Sequence, residues 1–167
     1  EPVKSAVVTV DYLVNKDGTI SAVEAIDGGF DGLPDPLSLG MTMAMPGEYS
    51  VVDFYGKGPF ENYVDRNSAA KVGRYVQTVN EQYHYGYARP QESGKKTGIK
   101  WFRVVTGDGC GLEVTSNVKF SASALPFSRE QLDFKKYGIT HSLELKSLAH
   151  ENDRSNGKTY VSFDGYH

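Results

Sequence analysis

Five apolar side chains, Leu37, Leu39, Met41, Met43 and Met45, take every second position against Ser38, Gly40, Thr42 and Ala44. A period of two lines one face of a β-strand and cannot line one face of a helix. The same alternation recurs along the chain. Ser5 to Val14 sets Val8, Val10, Tyr12 and Val14 on one face and Val7, Thr9 and Leu13 on the other, so both faces are expected to be partly buried. Thr19 to Asp27, Tyr49 to Tyr55, Lys100 to Thr106, Gly111 to Ser116, Val118 to Ala124, Thr140 to Leu148 and Tyr160 to Phe163 read likewise as strands. Turn formers separate them, among them Asn15-Lys16-Asp17-Gly18 and Gly107-Asp108-Gly109, each a hairpin signal. The connections are too short for helical crossovers, so the strands pair antiparallel. The expected class is all-β, a mainly antiparallel β-sandwich of roughly eight to ten strands with one or two short helices. Asp65 or Asn67 is positioned to cap a helical turn over Ser68 to Val72, ended by Gly73. Ser128-Arg129-Glu130-Gln131 has capping-box spacing, and helix is expected to continue through Tyr137. The methionines on alternate positions fit a soft ligand face or a flexible core face; the core reading is the simpler.

A chain of 167 residues is the size of one domain, and residues 1–167 are read as a single unit. Its formal charge of −3, with both signs mixed along the length, gives no reason to expect a nucleic acid or an anionic membrane as partner. Cys110 is the only cysteine, which excludes an internal disulfide, and the four histidines lack metal-ligand spacing. No metal and no cofactor are expected. No apolar run reaches the ~20 residues of a membrane-spanning helix. A soluble protein is expected, cytoplasmic or periplasmic. The opening EPVKSAVV carries no initiating Met and reads as a segment of a longer parent.

Tyr55 to Trp101 departs from the pattern: Gly, Pro, aromatic and charged residues crowd together without a sustained period. Loops on a rigid sheet are where binding groups usually sit, so this stretch is the functional candidate. Glu61 and Asp65, with Arg66 adjacent, fit an acid–base pair, but also a set of side chains that ties down loop backbone together with Asn62. Arg89-Pro90-Gln91-Glu92-Ser93-Gly94 follows Tyr83, Tyr85 and Tyr87. Arg89, Gln91 and Glu92 could meet sugar hydroxyls beside Tyr85 or Trp101 as an apolar platform, or form an internal network. His84, His141 and His167 stand near no recognisable nucleophile. No G-x-S-x-G, Walker or H-E-x-x-H pattern is present.

The run Tyr55-Gly56-Lys57-Gly58-Pro59-Phe60-Glu61-Asn62-Tyr63-Val64-Asp65-Arg66, followed by Gly73-Arg74-Tyr75, resembles the Y-G-x-G-P-x-E-x-Y-x-D-R signature of the C-terminal domain of large β-galactosidases, glycoside hydrolase family two. Arg89 to Gly94 is similar to that domain's R-P-Q-E-x-G, Lys100-Trp101 to its basic-Trp pair, Phe120 to Ser123 to its F-S-x-S strand, and His141 to a histidine beyond its helix. The resemblance implies a galactose-mutarotase-like β supersandwich, with Tyr55, Gly58, Pro59, Glu61, Tyr63, Asp65, Arg66 and His141 as its structural motif. It implies a fragment without catalytic residues, since the family's two glutamates lie in a barrel that nothing here resembles. The implied partners are the remaining domains of the parent, with galactoside bound only in that context and any oligomer formed through the parent. The implied role is to support and partly wall an active site that hydrolyses terminal β-galactosides. The family's substrate-contacting Trp follows a D-G-x-H sequence, and Asp164-Gly165-Tyr166-His167 are the last residues, so truncation at this end is expected. The family's L-P-R-x-G is here Leu33-Pro34-Asp35, without the basic residue. The alternatives are a freestanding carbohydrate-binding module and, by fold analogy alone, an aldose mutarotase or epimerase.

Overall fold

The computed structural model describes residues 7–27, 38–89, 91, 93–132 and 157–165. It divides into two compact units, Glu1–Leu39 and Gly40–His167. The first holds one antiparallel hairpin, β1 (Val7–Val14) and β2 (Ile20–Asp27), in continuous register from Val7 opposite Asp27 to Val14 opposite Ile20. Its turn is built as the residues suggest. Gly18 has φ 87°, and the Asp17 carboxylate accepts from both the Thr19 amide (2.9 Å) and the Thr19 hydroxyl (2.7 Å). The two partly buried faces expected of β1 are not observed: Val10 alone is half-buried and the rest of the strand is exposed.

The second unit is a six-stranded antiparallel sheet in the order β3-β8-β7-β6-β4-β5. The strands are β3 (Gly40–Pro46), β4 (Val51–Gly58), β5 (Lys71–Thr78), β6 (Lys96–Val105), β7 (Gly111–Leu125) and β8 (Lys158–Asp164). One sheet face carries the core: Val52, Phe54, Phe102, Val104, Ala122 and Val161 are among its buried members, and Met43 and Met45 pack against them. The methionine face is therefore a core face. Phe54 and Phe102 face each other across β4 and β6 with ring centroids 5.9 Å apart, and Phe163 meets Phe102 edge-on at 6.1 Å. The class is all-β and antiparallel, as expected.

Three further expectations are corrected. The irregular stretch contains a regular strand, β5, paired along its whole length with β4. Ser68 to Val72 is not helical, because Ala70 N–H bonds Asn67 C=O in a turn and Lys71 and Val72 already belong to β5. The helix lies instead at α1 (Val79–Gln82), where the Thr78 and Glu81 side chains each accept from the other's backbone amide. The two strands expected over Gly111 to Ala124 form one 15-residue strand, which meets β6 through register shifts around Ile99. The Ser128 capping box forms, with Ser128 N–H on Gln131 Oε1 (2.7 Å) and Gln131 N–H on Ser128 Oγ (3.3 Å), and leads into a 3₁₀ turn, Glu130–Leu132. Its expected continuation to Tyr137, the strand from Thr140, and His141 and His167 lie outside the described residues. No helix among the described residues is long and apolar enough to cross a membrane.

Candidate functional site

The chain leaves β4 at Gly58, crosses a cis peptide to Pro59, and enters the segment that carries Glu61, Asn62 and Arg66. A second segment, between α1 and β6, passes beside it. Irregular backbone needs partners for its amides and carbonyls, and side chains supply them here. Asn62 is buried. Its amide nitrogen donates to Lys57 C=O (2.9 Å) and Phe60 C=O (3.0 Å), while its carbonyl oxygen accepts from the Thr97 amide (3.0 Å) and hydroxyl (2.5 Å). One residue thus fastens the post-β4 turn to the start of β6.

Glu61 joins the two segments. Its side chain is 10 % exposed. One carboxylate oxygen accepts from Arg66 (2.9 Å) and from the Tyr87 hydroxyl, and the other accepts from the Gly94 amide (2.8 Å). The same Arg66 nitrogen also donates to the Tyr87 oxygen (2.8 Å), and the guanidinium lies 4.5 Å from the Tyr63 ring centre. Burial pushes the Glu61 carboxyl up, but the bonds from Tyr87, Gly94 and Arg66 outweigh it, and its pKa lies below the ordinary carboxylate value. Burial, with the bond to Glu61, raises the Tyr87 phenol. Asp65 is exposed.

Gly94 is the hinge of this frame. At φ 78° its amide faces Glu61 while its carbonyl accepts from Lys96 Nζ (2.9 Å). A Cβ there would strike Gln82 C=O and lie 2.9 Å from a Leu125 methyl. Lys96 is 1 % exposed, and its ammonium also donates to Gln82 Oε1 (2.8 Å). Neutral partners do not repay its lost hydration, so burial pulls its pKa down to about 8, against the pull of Glu61. Gln82 Nε2 bonds Gln77 Oε1 (2.8 Å), and the network then runs from β5 through α1 and Gly94 to Glu61.

The residues suggested for sugar contact fall into separate sets. Tyr85 packs edge-on against Tyr83 (4.8 Å) in a small cluster with Leu125, Phe127 and Leu132. Burial beside Tyr83 pushes its phenol up to about 12. Arg89 and Gln91 are exposed, and Glu92 lies outside the described residues. Trp101 lies on β6 opposite Tyr55, stacked at 6.5 Å, with the Arg74 guanidinium 5.9 Å from its ring. Arg74 in turn grips Asp53 through Nε (2.9 Å) and a terminal nitrogen (2.8 Å). Sequence reasoning singled out Tyr87 among the tyrosines before Arg89 without assigning it to Glu61, and missed Thr97, Lys96 and Gln82. Nothing local marks them, because they meet Glu61, Asn62 and Gly94 only through the fold. Among the described residues, no three His, Cys, Asp or Glu side chains cluster as a metal site would require.

Chemically the arrangement is a closed hydrogen-bonded frame. Glu61 is held ionised by three donors, whereas a general acid needs its pKa raised. The buried Asp53 and Asp164 are likewise engaged, with Arg74 and with Lys95 (2.7 Å).

Comparison with known proteins bears on what such a frame belongs to. Residues 1–164 match the family described as beta galactosidase small chain. A β-galactosidase of Streptococcus thermophilus is 35% identical over 140 residues, covering 83% of this chain and 13% of the relative. One from Priestia megaterium is 31% identical over 124 residues, 74% of this chain and 12% of the relative. One from Photobacterium profundum is 36% identical over 118 residues, 70% of this chain and 11% of the relative. The chain spans about an eighth of the length of the curated relatives it matches.

Proposed function

Because the chain belongs to the beta galactosidase small chain family, we propose that it is a non-catalytic part of a β-galactosidase, whose other domains hydrolyse terminal β-galactosides. Its role there is to hold loops that support and partly wall the active site. The supporting observation is the state of Glu61. A retaining or inverting glycosidase needs two carboxyls facing one bond, one of them able to donate a proton. The acid of this family's signature is instead saturated by Arg66, Tyr87 and Gly94, with its pKa lowered. The purified 167-residue chain is expected to release no nitrophenol from nitrophenyl β-galactoside, while the complete polypeptide encoded by its gene does so. Hydrolysis by the chain alone, abolished by Glu61→Gln, would sink the reading.

A second reading rests on Trp101, half-exposed beside Tyr55 and Arg74. Such an aromatic surface suits the apolar face of a sugar, with Arg89, Gln91, Glu92 and Tyr85 as further candidates. The single Trp makes the test direct. Saturable quenching by galactose or lactose at millimolar or lower concentration supports a carbohydrate-binding module, and a flat titration removes it.

A further inference from the structure

The β1–β2 hairpin carries an apolar face that its own two strands cannot bury. Register places Val8 opposite Ile26, Val10 opposite Glu24, Tyr12 opposite Ala22 and Val14 opposite Ile20, all on one side. Glu24 is the only charged residue on that side, whereas the other side carries Thr9, Asp11, Ser21 and Asp27 among its apolar residues. Val8 is 50 % exposed, Tyr12 59 %, Ile20 62 % and Val14 69 %. A lone two-stranded hairpin is marginal in water and gains independent stability when its apolar face packs on further structure.

We propose that this face docks an apolar strand or sheet surface supplied by another segment of the same β-galactosidase polypeptide, with a cation or hydroxyl set opposite Glu24. The inference rests on the family reading above and adds the surface through which the rest of the enzyme is engaged. The family match includes the hairpin, and the relatives are about eight times longer than the stretch they share with this chain. Size argues against a second copy. Eight residues by two strands span ~27 Å by ~10 Å, or ~270 Å², about a third of the ~800 Å² per partner that a stable interface needs. A tethered segment escapes that requirement, because linkage raises its effective concentration to the millimolar range.

Accessibility of a single thiol tests it. In a Cys110→Ser background, Tyr12→Cys and, separately, Val14→Cys are labelled with a maleimide, once in the 167-residue chain and once in the complete polypeptide encoded by the gene. Labelling at either position is expected to be at least tenfold slower in the complete polypeptide, with the two circular dichroism spectra of each background unchanged by substitution. Equal rates at both positions overturn the proposal. So does protection already present in the 167-residue chain, protection that grows with protein concentration, or a coding sequence that ends with this chain. The readout is independent of catalysis: protection without galactoside hydrolysis would sink the enzyme reading and keep the surface, and hydrolysis without protection would do the reverse.

Discussion

Glu61 accepts three hydrogen bonds at a position where water barely reaches. Glu61→Gln keeps the shape but replaces one acceptor oxygen with a donor, facing either the Gly94 amide or the Arg66 and Tyr87 donors. A buried donor left unsatisfied costs about 1–3 kcal/mol, more when the lost partner was charged. We expect the midpoint of urea unfolding to fall accordingly, with Gly94→Ala at least as damaging because it meets Gln82 C=O in a backbone conformation that side chains avoid. Lys96 makes a prediction about pH. Its folded pKa, about 8, lies below its unfolded value, so between the two the unfolded chain binds more protons and stability rises with pH. Tyr85, raised to about 12, acts the other way from its ordinary value upward. Unfolding free energy should therefore climb by about 2 kcal/mol between roughly pH 8 and 10, then decline. Urea titrations across that range check both limbs, and Lys96→Met should remove the climb.

Elements were legible where the local chemistry was strong. Asn15 to Gly18 and Gly107 to Gly109 form their turns because Asp and Gly there meet the demands of a tight reversal, with Gly109 at φ 90°. β5 was hidden because Lys71, Gly73, Arg74 and Gln77 dilute its alternation; only the pairing with β4 makes Val72, Arg74 and Val76 one face. The short helix starts eleven residues beyond the expected Ser68. Thr78-Val79-Asn80-Glu81 carries the cap signal, while Asn67 spends its side chain on Lys57 (2.7 Å) and Val64 C=O (3.2 Å). Thr78→Ala should cost about 1 kcal/mol, read as a lower melting temperature, and Ser68→Ala close to nothing. The candidate site was legible as a motif but not as a geometry. Glu61 and Arg66 are neighbours in sequence, yet Tyr87 and Gly94 reach Glu61 from 26 and 33 residues away.

At the scale of the sheet, Phe102 joins both halves: it stacks on Phe54 of β4 and meets Phe163 of β8. Phe102→Ala should cost about 3–5 kcal/mol, seen as loss of a cooperative melt in the sheet. The strand order has a further consequence in time. Among the described residues β3 finds its hydrogen-bonded neighbour in β8, and the Thr42 and Ser162 hydroxyls that meet there are 120 residues apart in the chain. At ribosomal speeds of ~5–20 residues per second, β3 waits roughly 6–24 s for its partner to be made. During that interval its methionine face is a sticky, unpaired ribbon emerging beside the ribosome. Chains stalled before Lys158 should keep β3 open to protease, and those stalled well beyond Asp164 should not. The tempo of synthesis, as well as the final contacts, is thus written into the order of these strands.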